Sequence, residues 1–331
     1  MNPYSDSNFL TFFTTLLSRL MQFFSGRLAL ADLASDEVQL IVLSFISLSS
    51  AIVGSFLVLR KMTMLANSLS HTILLGIVLA FLLVMPFSNG SSFLSVQTLL
   101  IASLLTALVT ALLTQFFTYL LKLQEDASIG LVFTTLFALG VVLVTLFTRN
   151  THLDVEAVMG NADALHPDDI QFVFWIALAN LALLLLFYKQ MQATAFDASL
   201  SRFLGISSSF FSYLLMVQTS ATVIGAFRSV GVLLVLAFLV GPALIARLFS
   251  IRLRGQLWIA SLIGIFSSLF GVALSRHMLS AYEMPLSTAG LVVTVIALFY
   301  VFSLLLITLK KRRLAASNKA QELSPEFSLE R

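Results

Sequence analysis

The chain has 331 residues, of which 59% are hydrophobic and 11% are charged, and its mean hydropathy is +0.99. A water-soluble domain could not hide so much apolar surface, so this composition excludes a soluble globular protein. The net charge is only +3, and the lack of cysteine excludes disulfide frameworks, thiolate metal sites and cysteine nucleophiles.

The N-terminal segment, residues 1–37, is predicted to lie at the membrane surface. Residues 8–24 are apolar and aromatic but include Arg19, which suits an interfacial helix better than a membrane span.

Nine apolar segments follow, and each reaches or approaches the roughly 20 residues that a helix needs to cross a bilayer. They lie near 38–59, 71–87, 96–120, 128–147, 170–188, 210–227, 229–249, 256–275 and 286–309. Only Arg228 separates the sixth segment from the seventh, so eight spans is the alternative to nine. The predicted fold class is an all-α, polytopic transmembrane helical bundle of eight or nine spans, formed by residues 38–309.

The positions of Lys and Arg predict the orientation, because cytoplasmic loops retain positive charge. With nine spans and the N-terminus outside, 14 of the 19 basic residues fall on the cytoplasmic side. These include every basic residue of the basic and polar tail, 310–331. The outer side keeps Arg19, Arg27, Arg149, Arg228 and Arg276. The pattern predicts an external N-terminus and a cytoplasmic C-terminus.

Asn67 and His71 are candidate metal ligands in the stretch LANSLSHTILLG, where the second segment begins. They lie four residues apart, so a helix presents both on one side. An amide oxygen and an imidazole can bind a divalent cation if another helix supplies further ligands. The alternative is structural, with both side chains forming hydrogen bonds at a helix contact.

Two longer connections also carry candidate functional residues. The outer one holds His152, Asp154, Glu156 and His166, which form a possible cation-attracting mouth or simply a solvated loop. The cytoplasmic one, 189–209, has a mixed composition compatible with a short helix that is presented to a partner.

Glycines within or beside the segments are predicted to let helices approach closely. They are Gly140, Gly225, Gly231, Gly241 and Gly271.

No GxxxxGK[ST] loop, HExxH motif or nucleophile elbow occurs in the sequence, so the chain is not expected to be an enzyme or to hydrolyse ATP itself. Any energy for transport must come from a gradient or a partner.

The order of five stretches resembles the permease subunit of bacterial ATP-binding-cassette importers for manganese, zinc and iron. They are RKMTMLANSLSHTILLGIVLAFLL (60–83), EDASIGLVFTTLFALGVVL (125–143), VMGNADAL (158–165), FDASLSRFLGIS (196–207) and SVGVLLVLAFLVGPALIARLF (229–249). The resemblance implies the metal and cobalamin type of importer permease fold in the bacterial cytoplasmic (inner) membrane. It also implies alternating access driven by separate cytosolic ATP-binding subunits.

Three kinds of partner follow from the resemblance: two ATP-binding subunits, an extracytoplasmic metal-binding protein and a second permease subunit. The transported metal is a substrate, and no permanently bound cofactor is expected. The segment that couples the permease to the ATPase would include Phe196, Asp197, Arg202, Leu204, Gly205 and Ile206.

The family's metal motif has Asp, three residues, His and then Pro-Gly. This chain keeps His71 but has Asn67 at the Asp position and Leu75 at the Pro position, next to the retained Gly76. Either a related permease chain supplies the carboxylate in a heterodimer, or the site is a low-affinity passage site. Oxygen donors with histidine favour manganese or iron mildly over zinc.

Two other classes of function stay open at this level. A gradient-driven secondary transporter would need an intramembrane carboxylate to relay protons, and none lies inside a predicted segment. A non-transporting assembly subunit is the other alternative.

Overall fold

The structure, a computed structural model, describes residues 3–4, 8–26, 32–84, 96–147, 162–163 and 165–323. The long regular elements in these ranges are all α-helices. The eleven helices of the described ranges are α1 (Phe9–Phe24), α2 (Ser35–Leu59), α3 (Thr63–Val84), α4 (Val96–Leu120), α5 (Glu125–Phe147), α6 (Pro167–Phe196), α7 (Ala198–Phe203), α8 (Ser208–Val230), α9 (Val232–Phe249), α10 (Leu253–Tyr282) and α11 (Thr288–Leu323).

Nine of these helices overlap the nine predicted apolar segments. Six of them, α2, α6, α8, α9, α10 and α11, are long and apolar enough over their described residues to cross a membrane. The prediction of eight or nine spans is therefore somewhat higher than the six that these criteria identify. Shorter apolar stretches lie in α4, over Leu105–Thr118, and in α5, over Ala127–Leu143.

The region around Arg228 contains two helices rather than one broken span. Gly231 separates α8 from α9 with a φ of 79°, a left-handed conformation that a residue with a β-carbon rarely adopts. This glycine therefore ends a helix instead of bringing two helices together.

α2 is the central helix of the bundle and packs against α6, α8, α9 and α10. Its closest neighbour is α9: a β-carbon added at Gly54 would lie 1.8 Å from the carbonyl oxygen of Leu239. Glycine at position 54 is thus required for the two backbones to touch.

Close approach also explains four of the five predicted glycines. A β-carbon at Gly225, Gly241 or Gly271 would lie 2.1–2.4 Å from a side-chain carbon of the facing helix. At Gly140 the nearest atoms belong to Leu75, 3.3 Å away.

The bundle has two recognisable ends. The end that carries α7, called the α7 end, also holds the turn between α2 and α3, because Arg60, Lys61 and Arg202 line the same cavity. The start of α10 lies at this end too, since Arg247, six residues before α10, donates to the carbonyl of Val58 (3.3 Å). The opposite end, called the α1 end, joins the start of α2 to the last turns of α10.

Helix α1 packs on the outside of α10 at the α1 end. The rings of Phe9 and Phe13 lie 6.3 and 6.0 Å from that of Phe270. Arg19 forms an ion pair with Glu37 at the start of α2, and Tyr4 donates to the same carboxylate at 2.8 Å. Burial and this carboxylate raise the pKa of Tyr4. The N-terminal segment is therefore fixed to the bundle by both aromatic and charged contacts.

The final helix continues beyond the last predicted segment. α11 extends to Leu323, so residues 310–323 of the basic and polar tail prolong the helix that begins at Thr288.

Candidate functional site

His71 lies in the middle of α3 and faces α5. Its ring centroid is 5.5 Å from that of Phe133 and 5.4 Å from that of Phe137, and the side chain is only partly buried. Asn67, one turn earlier on the same side of α3, is also partly buried. Both predicted ligands thus keep some accessible surface, and the ring of His71 lies beside two phenylalanine rings.

No group of three or more His, Asp or Glu side chains that could hold a metal ion occurs among the described residues. A transition-metal ion is usually held by four to six donors. At this position the described residues therefore offer one imidazole, from His71, and one amide, from Asn67.

The predicted coupling segment forms a separate short helix, α7, joined directly to α6 and α8. Asp197 is its N-cap: its carboxylate accepts from the backbone N–H groups of Ser199 (2.8 Å) and Leu200 (3.0 Å). At the other end, Gly205 has a φ of 74° and its N–H donates to the carbonyl of Arg202 (3.0 Å). The N–H of Ile206 donates to the carbonyl of Ser201 (2.9 Å), which completes a Schellman motif.

The α7 segment exposes several large apolar side chains at this end of the bundle. Phe203 is 90% exposed and Leu204 is 64% exposed, while Phe196 and Leu200 are each 55% exposed. Ser201 is fully buried and Ile206 packs against the core, so one side of the segment is attached and the other is free. Exposed apolar groups next to a rigid turn are typical of a docking surface.

A basic cavity of about 380 Å³ lies beside α7. Arg60 and Lys61 from the turn after α2, and Arg202 from α7 itself, line it together with Gln115 of α4 and Ser208 of α8. Arg202 therefore connects α7 with the basic residues of the turn after α2.

The predicted outer mouth is only partly described. His152, Asp154 and Glu156 lie outside the described residues. His166 is the N-cap of α6, where its backbone N–H donates to the carboxylate of Asp169 (3.0 Å) and its side chain is exposed.

Sequence reasoning missed a polar network at the α1 end. Arg276 of α10 forms a two-pronged ion pair with Asp36 of α2, with N–O distances of 2.5–2.9 Å. Asp163 accepts from Gln39 (3.1 Å) and Thr288 (2.5 Å) next to this pair. The groups line a cavity of about 450 Å³ and join α2, α10, α11 and the 162–163 turn.

A second missed feature lies within the bundle. Asn180 of α6 donates to the hydroxyl groups of Ser49 (2.6 Å) and Thr222 (2.7 Å), and all three side chains are buried. An amide inside an apolar segment was the available signal, because such a group needs hydrogen-bonding partners in a membrane.

The geometry defines a multi-pass helical membrane protein with a partly exposed histidine inside the bundle and a short helix with an exposed apolar side at one end. The ABC 3 transport family matches residues 37–307, and the chain belongs to this family.

Curated relatives span most of the chain. A probable metal transport system membrane protein of Chlamydia muridarum is 40% identical, over 96% of this chain and 98% of the relative. The zinc transport system membrane protein TroD of Treponema pallidum is 35% identical, over 81% of this chain and 73% of its own. The manganese transport system membrane protein MntD of Bacillus subtilis is also 35% identical, over 68% and 78%.

A solved structure, PsaBC from Streptococcus pneumoniae in complex with Fab, is similar in fold. Its matching chain is 26% identical, with a TM-score of 0.67 over 86% of this chain and 95% of that one. The similarity therefore extends over nearly the whole helical bundle.

Proposed function

We propose that this chain is the permease subunit of an ATP-driven importer for a divalent transition-metal ion. The observation that carries the proposal is the family match, which runs from the start of α2 to within α11. Relatives of equal identity are named for zinc and for manganese, so identity alone does not select the ion. The ligand chemistry of Asn67 and His71 favours manganese or iron, with zinc possible.

In this proposal the α7 end faces the cytoplasm and the N-terminus lies outside a bacterial cytoplasmic membrane. Basic residues are concentrated at the α7 end: Arg60, Lys61, Lys122, Lys189, Arg202, Arg247, Arg252 and Arg254. This concentration supports the orientation, because positive charge is retained on the cytoplasmic side.

The cytosolic ATP-binding subunits would dock on α7. Support comes from its exposed Phe203 and Leu204, and from the cap and turn that fix the helix at both ends. ATP hydrolysis belongs to these separate subunits. An extracytoplasmic metal-binding protein would deliver the ion at the α1 end.

A second permease subunit would complete the metal pathway. The partial exposure of His71 and the small donor set of the described residues support this inference. A related chain could supply a carboxylate opposite Asn67, or two identical chains could form a weak passage site. The ion is cargo, and the proposal includes no resident cofactor.

The mechanism is alternating access. Closure of the ATPases on binding ATP displaces α7, and α6 and α8 receive this movement because they flank α7 and pack against it. The metal ion then passes His71 between the outward-open and inward-open states.

Metal uptake by the complex reconstituted into proteoliposomes tests the function. We expect ATP-dependent uptake of manganese or iron that vanadate inhibits, and we expect His71→Ala to abolish uptake while the complex still assembles. Vanadate-insensitive uptake without ATPase subunits would instead indicate a gradient-driven carrier. Full uptake by His71→Ala would indicate a non-transporting role for this chain.

A second experiment tests the docking surface. Phe203→Asp should weaken assembly with the ATPase subunits by about tenfold or more, since it places a charge in an apolar interface. Ile251→Asp is the matched control: Ile251 is also 90% exposed at the α7 end but lies outside α7. Equal loss of assembly in both variants would contradict the assignment of α7.

A further inference from the structure

A third cavity, of about 630 Å³, opens on the outside of the bundle towards the α7 end. α2 forms its floor, since both α6 and α10 pack on α2, and these two helices form its walls. Leu48 and Ile52 line the floor, while Leu185 and Leu186 of α6 are 71% and 70% exposed. We call this cavity the α2–α6–α10 groove.

A break in α6 shapes the groove. Phe187 has non-helical angles (φ −111°, ψ 19°), and its ring packs against Phe211 on α8. The residues on either side, 184–186 and 188–190, all line the groove. Successive residues of a straight helix turn by about 100° and could not all face one cavity, so the break at Phe187 creates this lining.

The two halves of the groove differ in polarity. The leucines of α6 form the half nearer the membrane centre, and Lys189 of α6 and Arg254 of α10 form the half nearer the α7 end. From Leu181 to Lys189 the helix rises by about 12 Å, at 1.5 Å per residue. The groove therefore combines an apolar channel with a cationic mouth.

The cationic mouth has room for an anion. Arg254 lies over the ring of Tyr188, 5.6 Å from its centroid, and no carboxylate in the described ranges forms an ion pair with Arg254 or Lys189. Arg254 also lies in the first turn of α10, where the helix dipole disfavours a cation and favours an anion. A bound phosphate group would pair with the two cations and would interact favourably with the N-terminus of α10.

Trp258 indicates the depth at which the groove lies in the bilayer. It lines the cavity one turn after Arg254 and is 73% exposed. Exposed tryptophan and tyrosine are enriched where lipid headgroups meet acyl chains. The cationic mouth is thus at headgroup depth, and the leucine half is at acyl-chain depth.

We propose that the α2–α6–α10 groove binds an anionic phospholipid, with its phosphate between Lys189 and Arg254 and an acyl chain along the leucines. With the orientation proposed above, this lipid belongs to the inner leaflet. Charge complementarity favours this occupant over a second permease chain, which would have to bury two unpaired cations.

Lipid retention by the purified complex tests the proposal. The complex is placed in nanodiscs of phosphatidylcholine with a minor fraction of phosphatidylglycerol, re-extracted, and analysed by native mass spectrometry. We expect phosphatidylglycerol to be enriched among bound lipids, and Lys189→Gln with Arg254→Gln to reduce the enrichment about tenfold. Lys310→Gln with Lys311→Gln removes the same charge from the same end outside the groove and should leave the enrichment intact. Equal enrichment in both double variants would overturn the proposal.

Photo-crosslinking distinguishes a bound phospholipid from a second permease chain and does not depend on transport activity. A benzophenone amino acid in place of Leu186 should form adducts with phospholipid. Leu186→Trp, which fills the leucine half and keeps both charges, should lower lipid retention. Permease-to-permease adducts from position 186 would overturn the proposal and assign the groove to a subunit contact.

Discussion

At the scale of single residues, Asn67 is the position where this chain departs from the metal motif that it resembles. A neutral amide oxygen is a weaker ligand for a divalent cation than a carboxylate. We expect Asn67→Asp to lower the KM for metal uptake by about tenfold and to slow the maximal rate, because a tighter site releases the ion more slowly.

Uptake kinetics in proteoliposomes measure both parameters for Asn67→Asp. Asn180→Asp is a useful comparison, because Asn180 is a buried amide committed to Ser49 and Thr222 and should affect folding rather than KM. Unchanged kinetics in Asn67→Asp would show that position 67 does not face the transported ion.

Asp36 and Arg276 provide a second prediction at this scale. Their side chains are 6% and 16% exposed, so removal of one partner leaves the other charge poorly solvated. Arg276→Gln and Asp36→Asn should each lower the melting temperature of the purified permease, and the double variant should lower it by less than the sum. We expect a coupling energy of about 0.5–3 kcal/mol, and additive effects would argue against the pair.

The site residues differ in how far the sequence could predict them. His71 could be predicted as a candidate ligand because it is an ionisable group within an apolar segment. The Asp36–Arg276 pair was not, because its partners are 240 residues apart and nothing in local spacing connects them. The distribution of Lys and Arg predicted that Arg276 lies on the outer side but did not indicate its partner.

At the scale of helices, Gly54 sets the distance between α2 and α9. An added methyl group would collide with the backbone of Leu239, which cannot rotate away as a side chain could. Gly54→Ala should therefore lower the melting temperature by about 5 °C or more.

Two other glycine-to-alanine variants, both expected to be milder, serve as comparisons for Gly54→Ala. The close contact of Gly225→Ala would be with the flexible end of Ile176, so its effect should be milder. Gly130→Ala meets nothing within 4 Å and should be neutral or slightly stabilising. A melting temperature for Gly54→Ala equal to that of Gly130→Ala would contradict the close contact.

The cap of α7 gives a prediction about coupling. Asp197→Ala removes two hydrogen bonds to the backbone and should destabilise this short helix by about 1 kcal/mol. Uptake per ATP hydrolysed should fall, whereas Asp197→Asn, which retains a capping oxygen, should stay near the original value. Equal uptake per ATP hydrolysed in Asp197→Ala and Asp197→Asn would show that the N-cap of α7 does not contribute to coupling.

Helix positions were largely predictable, and helix ends were not. Apolar length located all nine long helices, but α3 begins at Thr63, eight residues before the predicted start at 71. Its first two turns contain Asn67 and other polar residues, which hydropathy alone assigns to a loop. The separation of α8 from α9 depends on the left-handed backbone at Gly231, a property that hydropathy does not reveal.

At the scale of the whole molecule, the lack of cysteine makes the orientation directly measurable. Met284→Cys places a thiol on an exposed loop at the α1 end, and Ile251→Cys does so at the α7 end. A membrane-impermeant maleimide should label position 284 in intact spheroplasts and position 251 only after permeabilisation. The reverse pattern would invert the proposed topology.

The Asp36–Arg276 ion pair, which joins α2 to α10, also constrains the order in which the bundle assembles during synthesis. Ribosomes add about 5–20 residues per second, so Asp36 exists for roughly 12–50 s before Arg276 is made. Glu37, by contrast, follows its partner Arg19 by 18 residues and can be neutralised almost at once. The contact between the start of α2 and α10 therefore forms only after α10 has been made, and the final position of the first span is fixed only then.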